Sequence, residues 1–181
     1  MIKIPPQIYS DWIKLLKQEE VTKNELVNRE KIIEGNIAHA LLSRIDNCWQ
    51  KDTKPMIEAA VSDTQRLYPF VQDFSTYTAK IEKLLSHHKL KNIFYVPDGD
   101  VHCEKEIVDA SGNLKRVDRL IVREKEVTVI DYKTTAKAES TQREQIKEYL
   151  KIFAAIYPQK RLKGFLVYLD DFSLEEISLD V

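Results

Sequence analysis

The run at residues 116–135, RVDRLIVREKEVTVIDYKTT, constrains the fold more than any other part of this chain. Two segments rich in valine and isoleucine flank the charged link REKE, the pattern of two antiparallel strands and their turn. Strand side chains alternate, so Val129, Asp131 and Lys133 share a face. If Val122 pairs with Val127 across the link, the register sets Asp118 opposite Asp131, within about 5 Å. A slip of one residue would part them. Two carboxylates that close repel, and without a partner one must protonate. Two accounts answer this. In one, the acids lie on an open face and pair with Arg116, Arg119 or Lys133. In the other, a divalent cation sits between them. Hard oxygen donors suit Mg²⁺ or Mn²⁺, and Lys133 is then placed to hold a water and offset charge developing on a phosphate.

Upstream of the hairpin the texture is helical. Pro5 and Pro6 precede a short amphipathic piece (Ile8, Trp12, Leu15, Leu16), and TKNE at 22–25 has capping-box spacing. A long helical pattern runs to about residue 49, with Ile33, Ile37, Leu41 and Ile45 on one stripe. Further helical patterns cover 55–67 and 71–88, the latter with Phe74, Ile81, Leu84 and Leu85 inward. After Lys89, IFYVP, VHCEKEIVD, LKRVDRLIV and VTVIDYK read as strands, separated by the turn signals PDGD, ASGN and REKE. TQRE at 141–144 opens a helix to about residue 157, and GFLVYL and LEEISLDV close as strands. This order predicts an α/β fold, a central mixed β-sheet flanked by helices. The expected division is 1–30 as a helical segment or linker and 31–181 as the main domain.

The remaining composition excludes more than it proves. Cys48 and Cys103 are too few for a disulfide framework, a four-cysteine zinc site or an iron–sulfur cluster, and a reducing cytoplasm is the expected setting. With only four glycines there is no glycine-rich phosphate loop, so nucleotide binding by this chain alone is not expected. No apolar run reaches membrane-span length, and the first ten residues lack the apolar centre of a secretory signal.

Other residues bear on the hairpin. At 100° per residue, His39 lies about 160–200° from the Ile37/Leu41 stripe and shares a flank with Asn36 and Ser43. It is either solvated or aimed outside the helical bundle. Glu104 lies one strand before Asp118, and Glu106 is its rival; Cys103 should face away from Glu104 by alternation. Gln145 and Tyr149, four apart on the late helix, are neighbours, although Tyr149 also falls near the Ile146/Leu150/Phe153 packing stripe. Residues 137–163 hold seven basic residues (Lys137, Arg143, Lys147, Lys151, Lys160, Arg161, Lys163) against three acids, so they form either a phosphate track or a solvated face. Arg116, Arg119 and Arg123 flank the hairpin acids. His87 and His88 close a helix, where imidazolium suits the C-terminal dipole. Trp12 and Trp49 read as packing residues.

Together, EGNIAHALL (34–42), CEKEIVDASG (103–112), RVDRLIV (116–122), VIDYKTT (129–135), QIKEYL (145–150) and GFLVYL (164–169) resemble the PD-(D/E)XK nuclease superfamily. More narrowly, they are similar to the RecB-type nuclease domain at the C-terminus of UvrD-family helicase–nucleases such as RecB and AddA. The resemblance covers about residue 33 onward and implies a restriction-endonuclease-like core. It implies that His39, Asp118 and Asp131, with the carbonyl of Tyr132, ligate one or two Mg²⁺ or Mn²⁺ ions, and that Lys133 serves near the attacking water. It gives Glu104 the acidic role on the preceding strand. Gln145 and Tyr149 it places against the DNA, Arg116 and Arg119 flank the site, and Gly35 allows another segment to approach its helix. The implied activity is metal-dependent DNA exonuclease action on single strands fed by a helicase motor, in double-strand-break repair or recombination. A non-catalytic DNA-handling scaffold and a stand-alone endonuclease are the alternatives. Val117 stands where the superfamily's name has proline, the link TTAKAES lacks a glycine found in many relatives, and cluster-binding cysteines are absent.

Overall fold

The hairpin forms with the expected register. In the computed structural model, which describes residues 23–109, 111–134 and 140–179 with side chains from residue 31, Val122 pairs with Val127 and the ladder runs to Arg119–Ile130. Strands β1 (Asp100–Val108), β2 (Leu114–Val122) and β3 (Glu126–Lys133) make an antiparallel meander. A helix, Ser140–Ile156, then crosses over, and β4 (Arg161–Tyr168) returns parallel to β3, as a parallel step requires. Strand β5 (Leu174–Ile177) pairs antiparallel with β4, giving the sheet order β1-β2-β3-β4-β5. The sheet is mixed and the architecture α/β, as the sequence predicts.

The crossover helix buries Ile146, Tyr149, Leu150 and Phe153 against Val117, Leu120, Val127, Val129 and Leu166. Each such side chain contributes about 1.5–3 kcal/mol when fully withdrawn from water. Gly164 on β4 permits this approach. A Cβ there would lie 2.3 Å from Ile146 Cγ2 and 3.1 Å from the Ile177 carbonyl oxygen.

Before the sheet come α1 (Lys23–Leu42), α2 (Thr53–Leu67), α3 (Ser75–Ser86), a 3₁₀ turn (His88–Leu90) and α4 (Lys91–Phe94); Ser140–Ile156 is therefore α5. The chain divides into two compact units, 1–34 and 35–181, and everything below concerns the second. Asp52 caps α2, its Oδ1 accepting the Lys54 N–H at 3.0 Å, and Phe74, Ile81, Leu84 and Leu85 are buried as expected. The Thr22 capping box and Trp12 lie outside the described residues.

Three sequence expectations change. The first helix stops at Leu42 rather than near residue 49, because Arg44 and Ile45 donate to the carbonyls three residues back and tighten the last turn. IFYVP is no strand: residues 91–94 make a helical turn, and Val96 is held by the Asn47 amide, which donates to its carbonyl (2.7 Å) and accepts its N–H (3.0 Å). A side chain here replaces a strand partner. Trp49 is 43% exposed, so it is not a core residue. Among the described residues no helix is long and apolar enough to cross a membrane.

Candidate active site

The two hairpin acids are treated differently by their surroundings. The β2–β3 ladder ends one pair short of Asp118 and Asp131, where the Asp118 carboxylate accepts the Tyr132 N–H at 2.8 Å. The acid thus takes the place of a ladder partner and is locked in orientation. From α1, His39 brings its Nδ1 to 3.4 Å from Asp118 Oδ2. The Tyr132 ring meets His39 edge-on, with centroids 6.1 Å apart, and stacks on Phe94, which steadies the imidazole. On β1, Cys103 pairs with Arg119 and Lys105 with Val117, so Glu104 stands across from Asp118. Glu104 has φ of 52°, the left-handed region that a non-glycine residue rarely adopts. Such strain costs of order 1–3 kcal/mol and gathers at sites where a side chain must be aimed.

One ligand atom from each of His39, Glu104 and Asp118 lies within 4.8 Å of the other two. Asp131 is set deeper. Its Oδ2 is 2.6 Å from Lys133 Nζ, yet the contact lacks hydrogen-bond alignment and that oxygen is buried without a hydrogen bond. Burial first, then the charge of Asp118, pushes the Asp131 carboxyl up from 3.8 to about 6, against the pull of Lys133 and His39. Burial also raises Glu104, opposed by Arg116 and reinforced by Asp118. For His39, burial acts downward, but the hydrogen bond and charge of Asp118, with Asp131 and Glu104, outweigh it and hold the imidazole above its ordinary value. Every perturbed group here would be relieved by one added positive charge. That donor set, an imidazole and carboxylates around a gap, fits a divalent ion.

These groups open into one cavity of about 740 Å³, lined also by Asn36, Ser43, Arg44, Tyr68, Arg116, Lys133 and Gln145. The helix flank of Asn36, His39 and Ser43 therefore faces the site rather than open solvent. Arg116 Nε lies 2.6 Å from Glu104 Oε2 at the mouth. Gln145 links inward and outward: its Nε2 donates to Tyr149 Oη at 2.8 Å, and its Oε1 lies 3.5 Å from Lys133 Nζ. Gly35 meets Thr134 at distances of 3.4 and 3.6 Å from an added Cβ, a close approach that a methyl would not prevent.

Several expected DNA contacts are corrected. Arg119 is fully buried. Its Nε donates to the Ile93 carbonyl (3.1 Å), its Nη1 to the Ile45 carbonyl (2.8 Å) and its Nη2 to the Asp46 carbonyl, and its guanidinium sits 4.6 Å above the Phe94 ring. Buried among these partners, it does not reach a phosphate at the surface. Its role is to tie the loop after α1 and the turn α4 to β2. Tyr149 is buried too, and its hydroxyl donates to the Arg116 carbonyl at 2.9 Å; it positions Gln145 and β2 rather than touching a strand of DNA. Arg123 lies at the far end of β2, engaged with Asp98, Thr128 and the Asn92 carbonyl. The basic run at 137–163 is not one track. Arg161 and Lys163 pair in register with Glu126 and Thr128, five and three residues along β3 from Asp131. Arg143 and Lys163 are in ion pairs with Glu175 and Glu126, and Lys137 lies outside the described residues. Glu106 is exposed and does not line the cavity. Cys103 turns away from Glu104, with its Sγ 3.6 Å from the Ile45 carbonyl.

The model of the PD-(D/E)XK nuclease superfamily matches residues 14–176. The chain belongs to this superfamily. Comparison with individual curated proteins gives no match. In this PD-(D/E)XK chain, acids stand on adjacent strands of the meander, a lysine lies two residues after the second acid, and α1 brings a histidine beside the first. Sequence reasoning missed Arg44 and Tyr68 as lining residues. The visible signal for Tyr68 was an aromatic beside proline at a helix end, LYPF, which alone reads as a turn.

Proposed function

We propose that this PD-(D/E)XK chain hydrolyses DNA phosphodiesters with Mg²⁺ or Mn²⁺, acting as an exonuclease on single strands. The resemblance of its motifs, RVDRLIV and VIDYKTT above all, to RecB-type nuclease domains is what supports work beside a helicase motor in double-strand-break repair or recombination. The observation that carries the nuclease reading is the convergence of His39, Glu104 and Asp118 to within 4.8 Å, with Asp131 and Lys133 in the same cavity.

His39, Glu104 and Asp118 would hold the ion, with Asp131 and the Tyr132 carbonyl as further donors; it would polarise the phosphate and acidify an attacking water. Asp118 is oriented by the Tyr132 N–H, and His39 by Asp118 and the Tyr132 ring. Lys133, flanked by Asp131 and Gln145, keeps its ammonium facing the cavity, where it orients water and offsets charge that grows on the phosphate. Arg116 at the mouth grips a neighbouring phosphate.

Purified protein with Mg²⁺ should degrade linear single-stranded DNA and spare circular single strands, since an exonuclease needs an end. Lys133→Ala should abolish cleavage, by about 10³-fold or more, while Mn²⁺ binding by calorimetry persists. Cutting of circles replaces the exonuclease mode with an endonuclease mode. A folded protein that binds no Mn²⁺ removes the catalytic reading and favours a scaffold.

A further inference from the structure

Beside the metal-holding residues stands an apolar surface that phosphodiester chemistry does not use. Helix α2 ends at Leu67 and runs into Tyr68-Pro69-Phe70. The Tyr68 N–H donates to the Thr64 carbonyl, and the Val71 N–H donates to the Tyr68 carbonyl, both at 3.0 Å. The second bond closes a four-residue turn with Pro69 at its second position, where a fixed φ suits the geometry. The turn is thus tied to the helix and internally stiff.

It carries two rings. Tyr68 lines the cavity that holds His39, Asp118, Asp131 and Lys133. Phe70 stands beside it edge-to-face, with centroids 6.0 Å apart, and is 63% exposed; Leu67 next to them is 58% exposed. Scattered apolar side chains on a surface are ordinary, but here an aromatic pair is continuous through Tyr68 with a polar cavity. The chemistry around it narrows the ligand. Arg44 and Arg116 line the same cavity; they pair with Asp63 (3.5 Å) and Glu104 (2.6 Å), and their remaining N–H groups would meet the phosphates of a strand whose reacting centre lies over the acids and His39. A strand seated there by its phosphates must lay its bases along the cavity wall, and the wall's aromatic part is Tyr68.

We propose that Tyr68 and Phe70 form a stacking platform for unpaired bases of the substrate strand, next to the scissile phosphate. The proposal rests on the nuclease reading and specifies its substrate. Ring faces accept any base, so the platform is indifferent to sequence. A continuous duplex keeps its base faces covered, so the platform favours single strands and frayed ends.

The test uses the full chain carrying Lys133→Ala in Mg²⁺, with the wild type in Ca²⁺ as a second non-cleaving form. Fluorescence anisotropy compares a labelled oligothymidylate with an abasic oligonucleotide of equal length. Tyr68→Ala and Phe70→Ala should each weaken oligothymidylate binding roughly tenfold and leave abasic binding unchanged, with Phe70→Trp restoring affinity. Circular dichroism reports that each variant is folded. Equal losses on both probes, or no loss on either, overturn the platform. So does failure of both forms to bind oligothymidylate, the result expected if the patch serves a protein segment instead. Base-dependent binding without any cleavage by the wild type would sink the nuclease reading and leave the platform standing.

Discussion

Replacing Asp131 with asparagine keeps the side chain's shape and removes one charge, and should make the metal-free protein more stable while ending its activity. The folded carboxyl is raised from 3.8 to about 6, by burial first and by Asp118 second. Each unit corresponds to about 1.4 kcal/mol, so holding Asp131 ionised in the folded chain costs roughly 3 kcal/mol at neutral pH. The sign follows from proton counting. Between pH 4 and pH 6 the folded chain holds a proton on Asp131 that the unfolded chain has released, so stability falls as pH rises through that window and is flat above it. Lys133, left without its partner, still has Gln145 Oε1 at 3.5 Å and access to water, so the ammonium is not stranded. For a chain of this size 1 kcal/mol moves Tm by about 2–4 °C, which gives a gain of about 6–12 °C for Asp131→Asn at pH 7.5 in EDTA. Thermal melts at pH 7.5 and pH 4 measure it, and the advantage should vanish at the lower pH. Mn²⁺ should raise the wild-type melting point more than the variant's, because the variant keeps His39, Glu104 and Asp118 but offers the ion one negative charge fewer. An Asp131→Asn protein no more stable than wild type at pH 7.5 would refute the reasoning, for it would mean the buried carboxylate is already well compensated.

Three further outcomes follow from the same geometry. Protons compete for the His39 imidazole, whose pKa lies above its ordinary value, so Mn²⁺ affinity by calorimetry should fall about tenfold per pH unit below that pKa; a flat profile from pH 8 to 6 would exclude His39 as a ligand. Arg119→Lys keeps the charge but cannot serve the Ile45, Asp46 and Ile93 carbonyls together, so urea unfolding should show a loss of about 3–5 kcal/mol. Gly164→Ala pushes a methyl into Ile146 and the Ile177 carbonyl and should cost about 1–3 kcal/mol by the same measurement, with activity of the surviving folded fraction unchanged.

The sheet was legible because its signals are local. Period-two alternation and the length of the REKE link together determine the Val122–Val127 register, and that register alone brings Asp118 and Asp131 to neighbouring positions. Helix periodicity likewise placed His39 off the packing stripe with Asn36 and Ser43, the flank that lines the cavity. Short apolar runs were not legible in this way. IFYVP has strand composition, but it turns helical because Arg119 and Asn47, 26 and 49 residues away along the chain, claim its carbonyls.

What the sequence determined by itself is the inventory and its spacing: two acids on paired strands, a lysine two residues on, a histidine on an earlier helix, and the family to which they belong. Which arginine lines the cavity and which is buried, that Glu104 rather than Asp131 joins His39 and Asp118 in the closest group of donors, and that a helix-end tyrosine borders the cavity were decided only in three dimensions. The reason is the range of the forces. Alternation and helical pitch act between near neighbours, whereas burial, charge coupling and access to a cavity depend on segments that meet only when the sheet and helices pack.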